Sequence, residues 1–96
     1  MGLGFMAIRR ECRFRGHVQG VGFRYATQRI AAHHCEVTGF VQNLDDGSVR
    51  LVIEGEAAEL QAMLDEVRSQ LRDYIRQVDD WRLPATGEFQ GFDIRR

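Results

Sequence analysis

The fold turns on one stretch, IRRECRFRGHVQGVGFRYATQRIAAHH, residues 8–34. In its first part Ile8, Cys12 and Phe14 fall on even positions, while Arg9, Glu11, Arg13 and Arg15 fall on odd ones; Arg10 breaks the alternation. A period of two over residues 8–15 predicts a strand with one face on a core and the other in water. Gly16, Gly20 and Gly22 then mark a turn, after which Phe23, Ala26, Ile30 and Ala31 recur at helical spacing to about His34. A strand therefore feeds a glycine-rich loop that feeds a helix.

Working outward, Val37, Gly39 and Val41 alternate with Thr38, Phe40 and Gln42, and beyond Leu44-Asp45-Asp46-Gly47 the apolar residues Val49, Leu51 and Ile53 return at period two. This is a β-hairpin with an Asp-Gly turn. Leu60, Met63, Leu64, Val67 and Leu71 trace one face of a second helix, with Glu56 and Glu59 early and Arg68 and Arg72 late, as the helix dipole favours. Val78 to Leu83 reads as a strand ended by Pro84, and Phe92 and Ile94 as a short final strand after the loop from Ala85 to Gly91. The order is βαββαβ plus a short terminal strand. Two helices inserted in that order pack on one face of a mainly antiparallel sheet, giving an α+β fold of the split-βαβ or ferredoxin-like type.

The 96 residues form a single expected domain, 1–96, with residues 1–6 as a flexible N-terminal extension. A chain this short buries only about 60–65% of its unfolded surface and cannot build a second core. Hydrophobic residues at 44% and charged residues at 28% exclude a disordered chain. Thirteen cations against fourteen anions leave no overall basic field for nucleic acid or an anionic membrane. All thirteen cations are arginine, which excludes Schiff-base chemistry and a P-loop lysine. No apolar run approaches the roughly 20 residues of a membrane span, and Met1 to Met6 is too short for a secretory signal, so a cytoplasmic location is expected. Cys12 and Cys35 read as reduced and structural, with a bridge or a reactive thiol as the alternative. His33, His34 and Cys35 are helix neighbours pointing about 100° apart, an arrangement that suits a solvated helix end better than a metal site.

Chemistry concentrates in Gly16-His17-Val18-Gln19-Gly20-Val21-Gly22-Phe23-Arg24. Where a strand passes into a helix start, unpaired N–H groups and the positive end of the helix dipole point outward. Glycines let the backbone curl with positive φ and remove side chains that would block an anion, and Arg24 adds a forked, permanently charged donor. The spacing fits neither a dinucleotide fingerprint nor a Walker loop. On these grounds alone an ordinary strand-to-helix turn and a phosphate cradle are equally good readings.

The segment Gly16 to Arg24 resembles the first signature of the acylphosphatases. Gly39-Phe40-Val41-Gln42-Asn43-Leu44-Asp45-Asp46-Gly47-Ser48-Val49, followed by Gly55, resembles the second. The resemblance covers nearly the whole chain and implies the same βαββαβ fold, with hydrolysis of the carboxyl-phosphate bond of small acyl phosphates and no metal or cofactor. It implies that Arg24 grips the phosphoryl oxygens beside the backbone N–H groups of Gln19, Gly20, Val21, Gly22 and Phe23, and that Asn43 positions the attacking water. Inorganic phosphate or sulfate is the expected bound anion, ahead of the terminal carboxylate of Arg96. A monomer is expected, without nucleic-acid or membrane partners.

The remaining residues take plainer readings. Phe23 and Phe40 pack, Asp45, Asp46 and Gly47 form the turn, and His17 is a bystander in the loop. Arg9, Arg13 and Arg15 share a strand face that could suggest RNA, yet that strand exposes no aromatic residue to stack a base. An accessory domain that binds carbamoyl phosphate without turnover is the closer alternative; such domains belong to longer chains, and an end at Arg96 favours a free-standing enzyme.

Overall fold

Seven elements follow one another through residues 6–96, the part of the chain that the computed structural model describes: β1 (Ala7–Gly16), α1 (Phe23–Ala31), β2 (Thr38–Asn43), β3 (Val49–Glu56), α2 (Ala57–Gln70), β4 (Ile75–Pro84) and β5 (Phe92–Arg95). Most of the expected N-terminal extension, residues 1–5, lies outside the described residues, and Met6 is exposed ahead of β1. The five strands make one sheet in the order β4-β1-β3-β2-β5, antiparallel throughout except where β5 runs parallel to β2. The anticipated ferredoxin-like arrangement is therefore the one observed, with the terminal strand added at an edge.

This topology positions the site. Because β1 and β2 both run antiparallel to β3, which lies between them, their C-terminal ends emerge at the same end of the sheet. Phe14 pairs with Val49, and Val49 pairs with Asn43. With strands about 4.8 Å apart, Asn43 stands about 10 Å across the sheet from Phe14, at the level where β1 gives way to the glycine loop.

The core lies between the sheet and the two helices. Phe14, Val41, Leu51 and Ile53 from the sheet meet Phe23 and Ile30 of α1 and Leu60, Met63, Leu64 and Val67 of α2, all at most 2% exposed. Each such side chain contributes about 1.5–3 kcal/mol when fully buried. The rings of Phe14 and Phe23 sit 5.2 Å apart in a tilted pair, which ties the start of α1 to the end of β1. Arg10 interrupts the alternation of β1 because it lies toward the helix side and pairs with Asp80 of β4 at 2.5 Å, with Gln61 of α2 at 3.0 Å.

On the opposite face, the odd-numbered arginines of β1 are tied into ion pairs. Arg9 meets Glu54 and Glu88, both at 2.8 Å, Arg15 meets Asp46 and Asp79, and Arg13 meets Asp46. Phe40 is buried under Phe89 and the Arg95 guanidinium, the latter 3.7 Å from its ring centre. Burial alone would raise the pKa of Glu54, but the N–H groups of Thr86 and Gly87 and the Arg9 side chain hold it below the usual glutamate range. This carboxylate anchors the loop between β4 and β5.

Three expectations need correction. β4 begins at Ile75 rather than Val78 and includes Pro84. It is an edge strand paired only with β1, and Pro84 is its last residue, a position where a missing N–H is tolerated. Cys12 is buried and free, as expected, its thiol pushed up to about 12 mainly by burial, which makes it inert. Cys35 is also free but exposed, so it is not a packing residue.

The third correction concerns His34. α1 ends at Ala31, and His34, expected in a solvated helix end, is 7% exposed. Its Nδ1 lies 2.5 Å from Glu59 and its Nε2 2.6 Å from Glu66, both on α2. Two ring nitrogens facing two carboxylates can both donate only as imidazolium. Burial alone would lower the pKa, yet the two glutamates outweigh it and raise the value above the ordinary histidine range. A raised folded-state pKa adds stability that is complete below about 6.5 and is lost as pH rises through the folded value. Because both glutamates are solvent-screened, His34→Gln should cost about 1 kcal/mol near pH 6. Urea unfolding of both proteins should show that difference shrinking as pH rises above 6.5; a difference that grows with pH would contradict the clamp.

Candidate active site

The loop between β1 and α1 is fixed from below and bare above. Val18 is 1% exposed, and Val21 and Phe23 also pack against the core. Between them Gly20 and Gly22 have φ of 78° and 81°, a conformation costly for any residue with a Cβ, and an added Cβ at either would meet nothing within 4 Å. Gly16 serves differently: a Cβ there would run into the carbonyl oxygen of Tyr74.

Gly22 is also the N-cap of α1 and supplies no side-chain cap. Among the described residues, no backbone N–H from Val18 to Phe23 donates to a carbonyl or a side chain. His17 N–H differs, donating to Tyr74 O at 2.9 Å. Six consecutive donors without protein partners, five of them at or beside glycine, lead into the positive end of a helix dipole. A run of free N–H groups of this kind suits an anion.

A cavity of about 180 Å³ opens on this array, lined by Val18, Gly20, Gly22, Phe23, Arg24, Tyr25 and Asn43. Arg24 stands in the first turn of α1, and Asn43 ends β2, so residues 19 apart in sequence face one space. Among the described residues neither side chain has a hydrogen-bond partner, and no carboxylate lies within ion-pair distance of Arg24. The C-terminal end of β5 does reach the neighbourhood of β2, where a terminal oxygen of Arg96 accepts from Gln42 Nε2 at 3.3 Å. It makes no ion pair with Arg24.

His17 is exposed and does not line the cavity. Of the predicted loop residues, Gly20, Gly22 and Phe23 line it directly; Val21 turns its side chain to the core, and Gln19 does something the sequence does not announce. Its side-chain amide donates to the carbonyls of Leu44 at 2.7 Å and Ser48 at 2.9 Å, spanning from the glycine loop to the hairpin turn beside Asn43. Asp46 fixes the same turn by accepting from Ser48 N and Oγ, and these bonds first of all hold its carboxyl below the usual aspartate range. Asp45, Asp46 and Gly47 thus act as turn-formers, Gly47 at φ 90°.

Comparison with known proteins supplies relatives for this arrangement. A family model described as acylphosphatase matches residues 10–94. A curated acylphosphatase of Salinibacter ruber is 43% identical over 88 residues, which covers 90% of each chain. A solved acylphosphatase structure from Bacillus subtilis superposes with a TM-score of 0.82 at 26% identity, covering 93% of this chain and 99% of that one. HypF from T. kodakarensis, a much longer protein, has a similar unit: TM-score 0.78 and 26% identity over 93% of this chain but 12% of HypF.

Proposed function

Because this chain belongs to the acylphosphatase family, enzymes that hydrolyse acyl phosphates, we propose that it carries out that reaction with Arg24 and the backbone N–H groups of Gln19 to Phe23 holding the phosphoryl group and Asn43 orienting the water. The observation that supports this most is the single cavity shared by the loop, Arg24 and Asn43, whose polar groups lack protein partners among the described residues.

Each part has a chemical reason. The phosphoryl group is an anion that gains charge on its equatorial oxygens during transfer, and fixed N–H groups with a guanidinium stabilise that charge without reorganising. Arg24 contributes two parallel donors, matching two phosphoryl oxygens. The water attacks phosphorus in line with the bond to the carboxylate oxygen; that bond breaks, releasing a carboxylate and inorganic phosphate. A carboxylate is a good leaving group, so no general acid is needed, and His17 has no part. Asn43 stays neutral and aligns the water through its carboxamide, while a phosphoryl oxygen accepts the proton.

The reaction therefore runs without metal or cofactor. Phosphate release from a simple acyl phosphate should persist in EDTA, whereas a phosphomonoester, whose alkoxide leaves poorly, should react more slowly by about 10²- to 10⁴-fold, the contribution of the general acid that this site lacks. Comparable turnover of the two substrates would overturn this reading. Inorganic phosphate, the product, should inhibit competitively by occupying the same cradle.

A further inference from the structure

Gln19 lies inside the first signature, yet its side chain does not line the cavity. Its amide nitrogen instead donates to both carbonyls that flank the hairpin turn, Leu44 O and Ser48 O. Those two residues are themselves joined by Leu44 N to Ser48 O at 2.9 Å, and the next residue pair down the ladder is Asn43 with Val49. One carboxamide thus spends both protons on the backbone immediately beyond Asn43. The two signatures, 25 and 29 residues apart at these atoms, are thus joined by a single side chain.

We propose that Gln19 is a positioning residue for hydrolysis: it fixes the height of the Asn43 carboxamide above the phosphoryl cradle and so sets the alignment of the attacking water. The proposal rests on the assignment of Asn43 given above. The cradle has its own supports in Val18, Val21 and Phe23, and keeps its shape without the tether. The hairpin turn is closed internally by Asp46 and Ser48, so it stays folded but is free to shift as a unit against the loop. Loss of the tether therefore acts on the distance between cradle and water rather than on either alone.

Two substitutions test this. Gln19→Met keeps length and removes both donors; Gln19→Glu keeps shape and sets a carboxylate against two carbonyl oxygens. Since a misplacement near 1 Å costs on the order of 10²-fold in rate, kcat should fall by about 10- to 100-fold in both, while the inhibition constant of inorganic phosphate stays within about twofold. The second readout is a double-mutant cycle. In an Asn43→Ala background Gln19→Met should lower kcat by less than about twofold, because the group it positions is gone. Circular dichroism confirms that each variant is folded. A parallel rise in the phosphate inhibition constant, or an equal fall in kcat in both backgrounds, overturns the positioning role and leaves the Asn43 assignment intact. Full turnover by Asn43→Ala alone overturns that assignment, and the tether's catalytic role with it.

Discussion

Arg24→Ala should lower kcat/KM for an acyl phosphate by about 10²- to 10⁴-fold, because charge-assisted hydrogen bonds contribute about 1.5–3 kcal/mol each and the guanidinium offers two to the phosphoryl oxygens. The loss should divide between KM and kcat. Ground-state phosphate already carries negative charge, so binding weakens; the equatorial oxygens gain more in the transition state, so turnover falls as well. Folding should be unaffected, since Arg24 is partly exposed and has no protein partner among the described residues. Arg24→Lys should recover only part of the activity, because an ammonium on a flexible stem cannot present two parallel donors. Steady-state kinetics with inorganic phosphate as competitor measure all of this. An Arg24→Ala enzyme with unchanged KM and kcat would remove the guanidinium from the mechanism.

Asn43→Ala should behave differently. The cradle and Arg24 remain, so the phosphate inhibition constant should hold within about twofold, while kcat falls by about 10²- to 10³-fold, the range for losing one well-placed polar group at the reacting centre. The pattern is diagnostic because the two residues share one cavity but stand on different elements, α1 and β2. Asn43→Asp should also be slow, since a carboxylate there repels the incoming phosphoryl anion and weakens phosphate binding as well. If Asn43→Ala lost phosphate affinity in proportion to kcat, Asn43 would be a binding group and the water would be held elsewhere.

Much of this architecture was legible because local pattern and tertiary role coincide. The stripe Leu60, Met63, Leu64, Val67 and Leu71 is buried as its spacing requires. Gly20 and Gly22 hold the positive φ that their position before a helix suggests. Arg24 and Asn43 became visible through two motifs, and the strand directions that bring them to one end of the sheet follow from a crossover between β1 and β2 with β3 inserted. What stayed hidden depends on partners distant in the chain. Nothing near His34 announces Glu59 and Glu66, 25 and 32 residues away, so its local context read as solvated. Gln19 bonds to backbone carbonyls, which every residue has and no sequence pattern marks. β4 was read short because an edge strand carrying Arg76, Gln77, Asp79 and Asp80 hides its period among polar residues.

The central claim is that one loop, through its own amides and Arg24, holds the phosphoryl group. It is tested most directly by titrating the 15N-labelled protein with inorganic phosphate and following each backbone amide and the Arg24 Nε resonance. Saturable shifts concentrated at Gln19 to Phe23 and at Arg24 Nε, at the concentration that inhibits hydrolysis and abolished in Arg24→Ala, are the predicted result. Phosphate shifts that leave these amides untouched, or that persist unchanged in Arg24→Ala, would contradict it.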